Sequence, residues 1–271
     1  IATLRVSVRR LSVVWVSFGS VTVPADGPSG WVAIASHGLS LRCWWSPAKA
    51  IAHVIDSTSQ RHRAVNVLPE VFVVDAWVRS VGQRLAAQGI PALAMPLFAR
   101  SAPTLDLDYS DLALAEGRRH KDLTTAPQIL SDCSAAIAWL QRRYPTAEID
   151  IAGFCFGGHA ALLAATLPQV RACFDFYGAG VSTMRPGGGP PSLESLPQVT
   201  GRLTCICGTA DPLIPADHRR AIQASLRAAD PAAERFRYLE LPGADHGFMC
   251  EARSSFSPKA SALGWQLLLE G

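Results

Sequence analysis

Three short stretches, far apart in the chain, carry side chains suited to acyl transfer. They are Gly153-Phe154-Cys155-Phe156-Gly157, Gly208-Thr209-Ala210-Asp211-Pro212 and Asp245-His246-Gly247-Phe248. The first has the form G-x-C-x-G, the cysteine version of a nucleophile elbow. In such an elbow a strand bends abruptly into a helix, and glycines remove the side chains that would collide there. A sulfur at that bend also lies at a helix N-terminus, where the positive end of the dipole favours a thiolate. Taken singly, each stretch has an ordinary structural reading: a tight turn around a buried cysteine, a turn aspartate, a solvated loop histidine.

Taken together they read differently. Each follows an apolar run that reads as a strand, and the chain order of nucleophile, acid and histidine is that of the α/β hydrolases. The expected triad is therefore Cys155, Asp211 and His246. Cys155 would attack an acyl carbon as thiolate. His246 would act first as base and then as acid toward the leaving group. Asp211 would fix the imidazole tautomer and support its positive charge. The backbone N–H of Phe156, next after the nucleophile, is the expected oxyanion donor. His159 and Asp245 lie close by in sequence. His159 falls one turn into the elbow helix, where packing or capping is the better reading, and Asp245 reads as a loop-shaping residue.

The elements that must position these groups follow from pattern. Trp31 to Trp45 reads as two short strands with a turn at His37-Gly38. Ala64 to Leu68 is an apolar strand ending in Pro69-Glu70. Asp75 is a helix N-cap, the helix running through Trp77, Val78, Val81 and Leu85 to a stop at Gly89. Pro91 to Met95 is a strand, and Ser101 to Pro127 a polar, irregular excursion. Ile129 to Tyr144 is an amphipathic helix, and Ile149 to Ala152 a strand that runs into the elbow and its helix. Strands follow at Val170 to Phe176, Leu203 to Cys207 and Phe236 to Leu241, with helices at Ala216 to Ala229 and from Ser257-Pro258 onward. Alternating strands and helices predict an α/β fold with a mostly parallel central sheet and helices on both faces. Ligands in such a sheet bind beyond the carboxyl ends of the strands, where all three candidate residues fall.

Composition narrows the function classes. The 271 residues are 49% hydrophobic with a net charge of +3, enough for a large core and without the basic blocks of a nucleic-acid binder. No apolar run approaches the ~20 residues of a membrane helix. Residues 1–30 read as an N-terminal extension, strand-like or poorly ordered, with only a faint likeness to a secretory signal; residues 31–271 read as one domain. Seven cysteines, an odd number in a chain of this length, read as reduced thiols in a cytoplasmic protein. Cys205-Ile206-Cys207 lacks the partners of a zinc site and reads as two core thiols.

A family resemblance adds to this. GFCFGGHAA from Gly153, LPEVF from Leu68, PLFAR from Pro96 and DHGFMCEAR from Asp245 together resemble the dienelactone hydrolases, or carboxymethylenebutenolidases. The likeness runs from about Ser40 to the C-terminus and implies the α/β-hydrolase fold. It implies a catalytic role for Glu70, which would help form the thiolate, and a second oxyanion donor in the N–H of Val71. It implies that Arg100 binds a substrate carboxylate, with Arg253 as a further clamp and Tyr177 lining the pocket or packing at the core edge. One departure bears on the oxyanion loop: Val73-Val74 stand where the family often has glycine after E-x-F.

The function so implied is hydrolysis of a small carboxylate-bearing ester or enol-lactone through an acyl-cysteine. A general carboxylesterase or thioesterase is the nearest alternative, and an inactive binding protein a more distant one. No cofactor or metal is implied. The expected partner is a small-molecule substrate, with no nucleic acid or membrane, and a monomer as default.

Overall fold

A computed structural model describes residues 27–48 and 62–271. The expected extension at residues 1–30 lies, up to Asp26, outside the described residues. Eight strands form one sheet in the order β1-β2-β4-β3-β5-β6-β7-β8. β1 (Gly30–Ser36) and β2 (Leu39–Ser46) form an antiparallel hairpin, turned at His37-Gly38, both with positive φ. β2 pairs antiparallel with β4 (Ala92–Ala94). The remaining pairings are all parallel, through β3 (Arg63–Leu68), β5 (Glu148–Phe154), β6 (Val170–Phe176), β7 (Arg202–Gly208) and β8 (Phe236–Leu241). This is the mostly parallel α/β sheet expected from the sequence.

β3 is buried along its whole length, because helices cover both faces of the central strands. α1 (Ala76–Ala87) starts at Asp75, whose carboxylate accepts the N–H of Val78 at 2.8 Å. Its Arg79 lies over Trp44 of β2. The next residue, Trp45, points to the opposite face, where its ring meets Trp139 of α3 (Ala126–Arg143) at 5.0 Å. α1 and α3 therefore sandwich the sheet. α4 (Phe156–Ala164) follows β5 directly. α5 (Ala216–Ala229) and α6 (Pro258–Glu270) match their expected starts, with Ser257 capping α6.

The expected irregular excursion at Ser101 to Pro127 is corrected. It contains a helix, α2 (Asp111–Asp122), and the start of α3, which begins at Ala126 rather than Ile129. α2 is polar around most of its circumference and buries only Ala113, Gly117 and His120, so it carries no apolar stripe to read. Its ends were marked: Ser110 accepts the N–H of Ala113, and Arg119, His120 and Lys121 occupy the last turn. A 3-10 helix at Ser192–Gln198 also went unread.

Beneath the sheet, at the amino ends of the strands, Asp150 anchors two arginines. Arg171 reaches it at 2.8 and 2.5 Å, and Arg63 at 3.0 Å. Arg63 also donates to the carbonyl of Leu268 at 2.8 Å, tying α6 to β3. Asp150 is fully buried. Removing it would leave two guanidiniums without their shared counter-ion in a poorly solvated site. Asp150→Ala is expected to lose about 3 kcal/mol of unfolding free energy, measured in urea, where a loss of about 3–5 kcal/mol is usual for a broken buried pair. A loss under about 1 kcal/mol, the range of an exposed ion pair, would contradict this anchoring role.

Candidate active site

β5 passes into α4 through a single residue. Cys155 holds φ 56° and ψ −119°, a conformation few side chains adopt, with a strain of about 1–3 kcal/mol. Glycines make the bend possible. A Cβ on Gly153 would stand 1.9 Å from the carbonyl oxygen of Gly157, and one on Gly157 would stand 2.3 Å from that of Leu68. Cys155 is partly exposed, alone among the seven cysteines, all of which are free thiols. The N–H of Phe156, in the first turn of α4, has no partner within the helix.

His246 and Asp211 come from the loops after β8 and β7. Nδ1 of His246 donates to Oδ2 of Asp211 at 2.8 Å, and both side chains are buried. Burial works to lower the pKa of the ring. The nearby sulfur of Cys155, the hydrogen bond with Asp211 and the charge of Asp211 outweigh it and raise the pKa from an ordinary 6.5 to about 10. Nε2 itself is buried without a well-formed hydrogen bond. The sulfur is therefore close but loosely aligned, a resting geometry that a bound reactant can tighten. Sulfur, imidazole and carboxylate thus meet at one end of the sheet, an arrangement able to activate a thiol and pass its proton to a leaving group.

Glu70 follows β3 and is buried. Its Oε1 accepts from Arg253 at 3.0 Å, while Oε2 is buried without a partner. Burial raises its pKa; the charges of Arg253 and His246 pull it down, and that of Asp75 pushes it up. Arg253 also lies within electrostatic reach of Cys155 and Tyr177. It lies against the backbone of Gly247, next to His246. Tyr177 is completely buried, with φ 44°, and its ring meets that of His246 edge-on at 5.2 Å. Its hydroxyl has no hydrogen-bond partner. Val71 is held from behind by α2: a Cβ on Gly117 would stand 2.3 Å from its carbonyl oxygen. Val73 adopts φ 65° and closes a turn onto the carbonyl of Glu70 at 3.2 Å. A valine thus takes the left-handed position in which glycine would be unstrained, and the loop keeps its turn.

Arg100 is engaged elsewhere. Its guanidinium forms a two-pronged ion pair with Asp132 of α3, one prong at 2.9 Å, and Asp132 also accepts from Ser36 at 2.6 Å. The structure brings Cys155, Asp211, His246, Glu70, Arg253 and Tyr177 together and gives Arg100 a carboxylate of the protein's own. His159 packs as expected: Nδ1 donates to the carbonyl of Ala179 at 2.9 Å, Nε2 meets Ser192 at 2.7 Å, and burial lowers its pKa to about 4. Asp245 accepts the N–H of His246 and shapes the loop. Sequence reasoning missed a neighbouring chain of groups. Cys250 donates to the hydroxyl of Tyr109 at 3.2 Å, and Tyr109 donates to Asp75, which also caps α1. Asp75 was legible only as a cap, and nothing in the sequence singled out Tyr109.

Residues 51–270 match the family model described as the dienelactone hydrolase family. The chain belongs to the dienelactone hydrolase family. It is a hydrolase of the ester and lactone class, with the α/β-hydrolase fold. A Synechocystis protein provisionally named a carboxymethylenebutenolidase is 36% identical over 208 residues, covering 76% of this chain and 83% of its own. The carboxymethylenebutenolidase of Pseudomonas putida is 29% identical over 224 residues, covering 80% and 84%. A crystal structure from Klebsiella pneumoniae, provisionally named a dienelactone hydrolase, superimposes with a TM-score of 0.74 at 24% identity, covering 89% of this chain and 96% of that one. Among the described residues no helix is long and apolar enough to cross a membrane.

The raised pKa of His246 has a consequence for stability. A folded-state pKa of about 10, above an ordinary 6.5, means that the charged ring contributes fully below pH 6.5 and that this contribution is lost as pH rises through about 10. The stability advantage of the wild type over His246→Ala, measured by urea unfolding, is expected to shrink steadily between pH 6.5 and pH 10. An advantage that stays constant across that range would show that the ring is neutral in the folded protein.

Proposed function

We propose that the protein hydrolyses a small carboxylate-bearing ester or enol-lactone of the dienelactone kind through an acyl-cysteine at Cys155. The observation that carries this reading is the Glu70–Arg253 ion pair beside the Cys–His–Asp arrangement. Arg253 is partly exposed while Glu70 is buried. An incoming carboxylate can therefore reach the guanidinium and compete for it, and a guanidinium fork matches a carboxylate's two oxygens. Glu70, losing its cation, would become a stronger base in a buried site and could accept the thiol proton.

Thiolate attack on the carbonyl carbon forms a C–S bond. The oxyanion is held by the N–H groups of Phe156 and Val71. Collapse of the tetrahedral intermediate breaks the C–O bond, and His246 gives its proton to the leaving enolate oxygen. Water, deprotonated by His246, then attacks the thioester; the C–S bond breaks, and the carboxylate product leaves with the thiolate restored. Asp211 supports the imidazolium throughout. Tyr177, edge-on to His246, restricts the ring's orientation.

A second reading is a general carboxylesterase or thioesterase acting on neutral acyl groups. The pairing of Arg253 with Glu70 favours it, if that pairing persists with substrate bound, since Arg253 would then serve structure alone. The two separate on substrate charge. Arg253→Gln is expected to lower kcat/KM for a carboxylate-bearing lactone roughly 10- to 100-fold more than for a neutral ester of the same size, the worth of one charge-assisted contact. Arg100→Gln, measured alongside, should leave that ratio within about threefold of wild type, since its fork is taken by Asp132. Equal losses on both substrates in Arg253→Gln would remove the anion-binding role and leave the neutral-acyl reading.

A further inference from the structure

A cavity of about 310 Å³ lies between the outer face of the β1–β2 hairpin, the start of α1 and the loop after β4. None of Cys155, Asp211, His246 or Arg253 lines it. It shares Val73 with the Glu70 loop but none of the polar groups of the site described above, and what it binds does not depend on the proposed function. Its walls include Trp31, Arg42 and Trp44 of the hairpin, Arg79 of α1, and Val73 and Phe98.

Strand pairing sets Trp31 opposite Trp44, and alternation places Arg42 on the same face, away from the core residues Cys43 and Trp45. The two indoles meet edge to face, 5.3 Å apart. Arg42 lies 3.7 Å over the ring of Trp31, and Arg79 stands 5.6 Å from both rings. The one hydrogen bond from Arg79 goes to the carbonyl of Val74 at 2.8 Å. Among the described residues neither arginine forms an ion pair with a carboxylate; Asp106, at the exposed rim, pairs with neither. The indole Nε1–H of Trp44 is buried without an acceptor.

Arg42, and Arg79 beyond its bond to Val74 and its attraction to Asp75, present guanidinium N–H groups that call for an anion with hydrogen-bonding oxygens. Two indole faces call for a flat apolar body. A volume of about 310 Å³ is at the small end of ligand pockets, which run from about 300 Å³, and suits a single ring. We propose that this cavity binds a small aromatic carboxylate, its ring against Trp31 and Trp44 and its carboxylate held by Arg42 and Arg79.

The test is calorimetric titration of benzoate into the full chain carrying Arg253→Gln, which silences the guanidinium beside Cys155. Saturable binding is expected, weakened roughly tenfold by Arg42→Gln and severalfold by Arg79→Gln. Acetate and benzyl alcohol, each lacking one half of the proposed recognition, should bind at least about tenfold more weakly than benzoate. Arg42 is exposed, so its substitution leaves the fold intact. No saturable binding, or benzoate binding unmoved by both Arg42→Gln and Arg79→Gln, would overturn the proposal. Acetate binding as tightly as benzoate would overturn its aromatic part.

Discussion

At Cys155 the chain leaves a buried strand and enters a helix within one residue, and the backbone is held there in a left-handed conformation. That bend is possible only because Gly153 and Gly157 let strand, helix and the end of β3 approach to distances no Cβ could share. The strain is offset by the packing of β5 between β3 and β6, both of which it pairs with along its length. The bend raises the sulfur out of the sheet, sets it at the positive end of α4 and leaves the first helical N–H groups free to receive an anion. Everything else in the site is arranged around that sulfur.

The surrounding charges are balanced in pairs. Asp211 holds His246, and Arg253 holds Glu70, in a region where three of the four side chains are nearly inaccessible to water. Arg253 is the exception, and it is the member of the set that a ligand can reach. A buried carboxylate whose hydrogen-bonded cation is exposed to competition changes its basicity when that cation is drawn away. On the proposed reading, this would link substrate charge to thiol activation without a moving domain. Tyr177, buried with an unpaired hydroxyl, and the Cys250–Tyr109–Asp75 chain fill the space behind these pairs.

Much of this was legible in the sequence, and for identifiable reasons. The strands β6 and β8 and the helix α5 carry apolar runs or periodicity bounded by turn residues, and their limits were read to the residue. The elbow was legible because few physical situations require glycine on both sides of a cysteine between a strand and a helix. α2 was not, since a helix that buries three small or polar side chains carries no stripe. The two arginines show another limit. PLFAR and DHGFMCEAR announce guanidiniums of suitable type, but whether each is free depends on what α3 and β3 deliver to it. Asp132 is 32 residues from Arg100, and Glu70 is 183 residues from Arg253. Val73 shows a third: its side chain predicts an extended backbone, and the turn back to Glu70 overrides that preference.

The central claim is that the sulfur of Cys155 carries the acyl group during turnover. The direct measurement is intact-protein and peptide mass spectrometry after rapid acid quench of the enzyme mixed with excess lactone or activated ester. The account expects an added mass equal to the acyl group, located on the peptide containing Cys155 and labile to hydroxylamine as a thioester is. Turnover that persists in Cys155→Ala, or an acyl group found on another side chain, would contradict it.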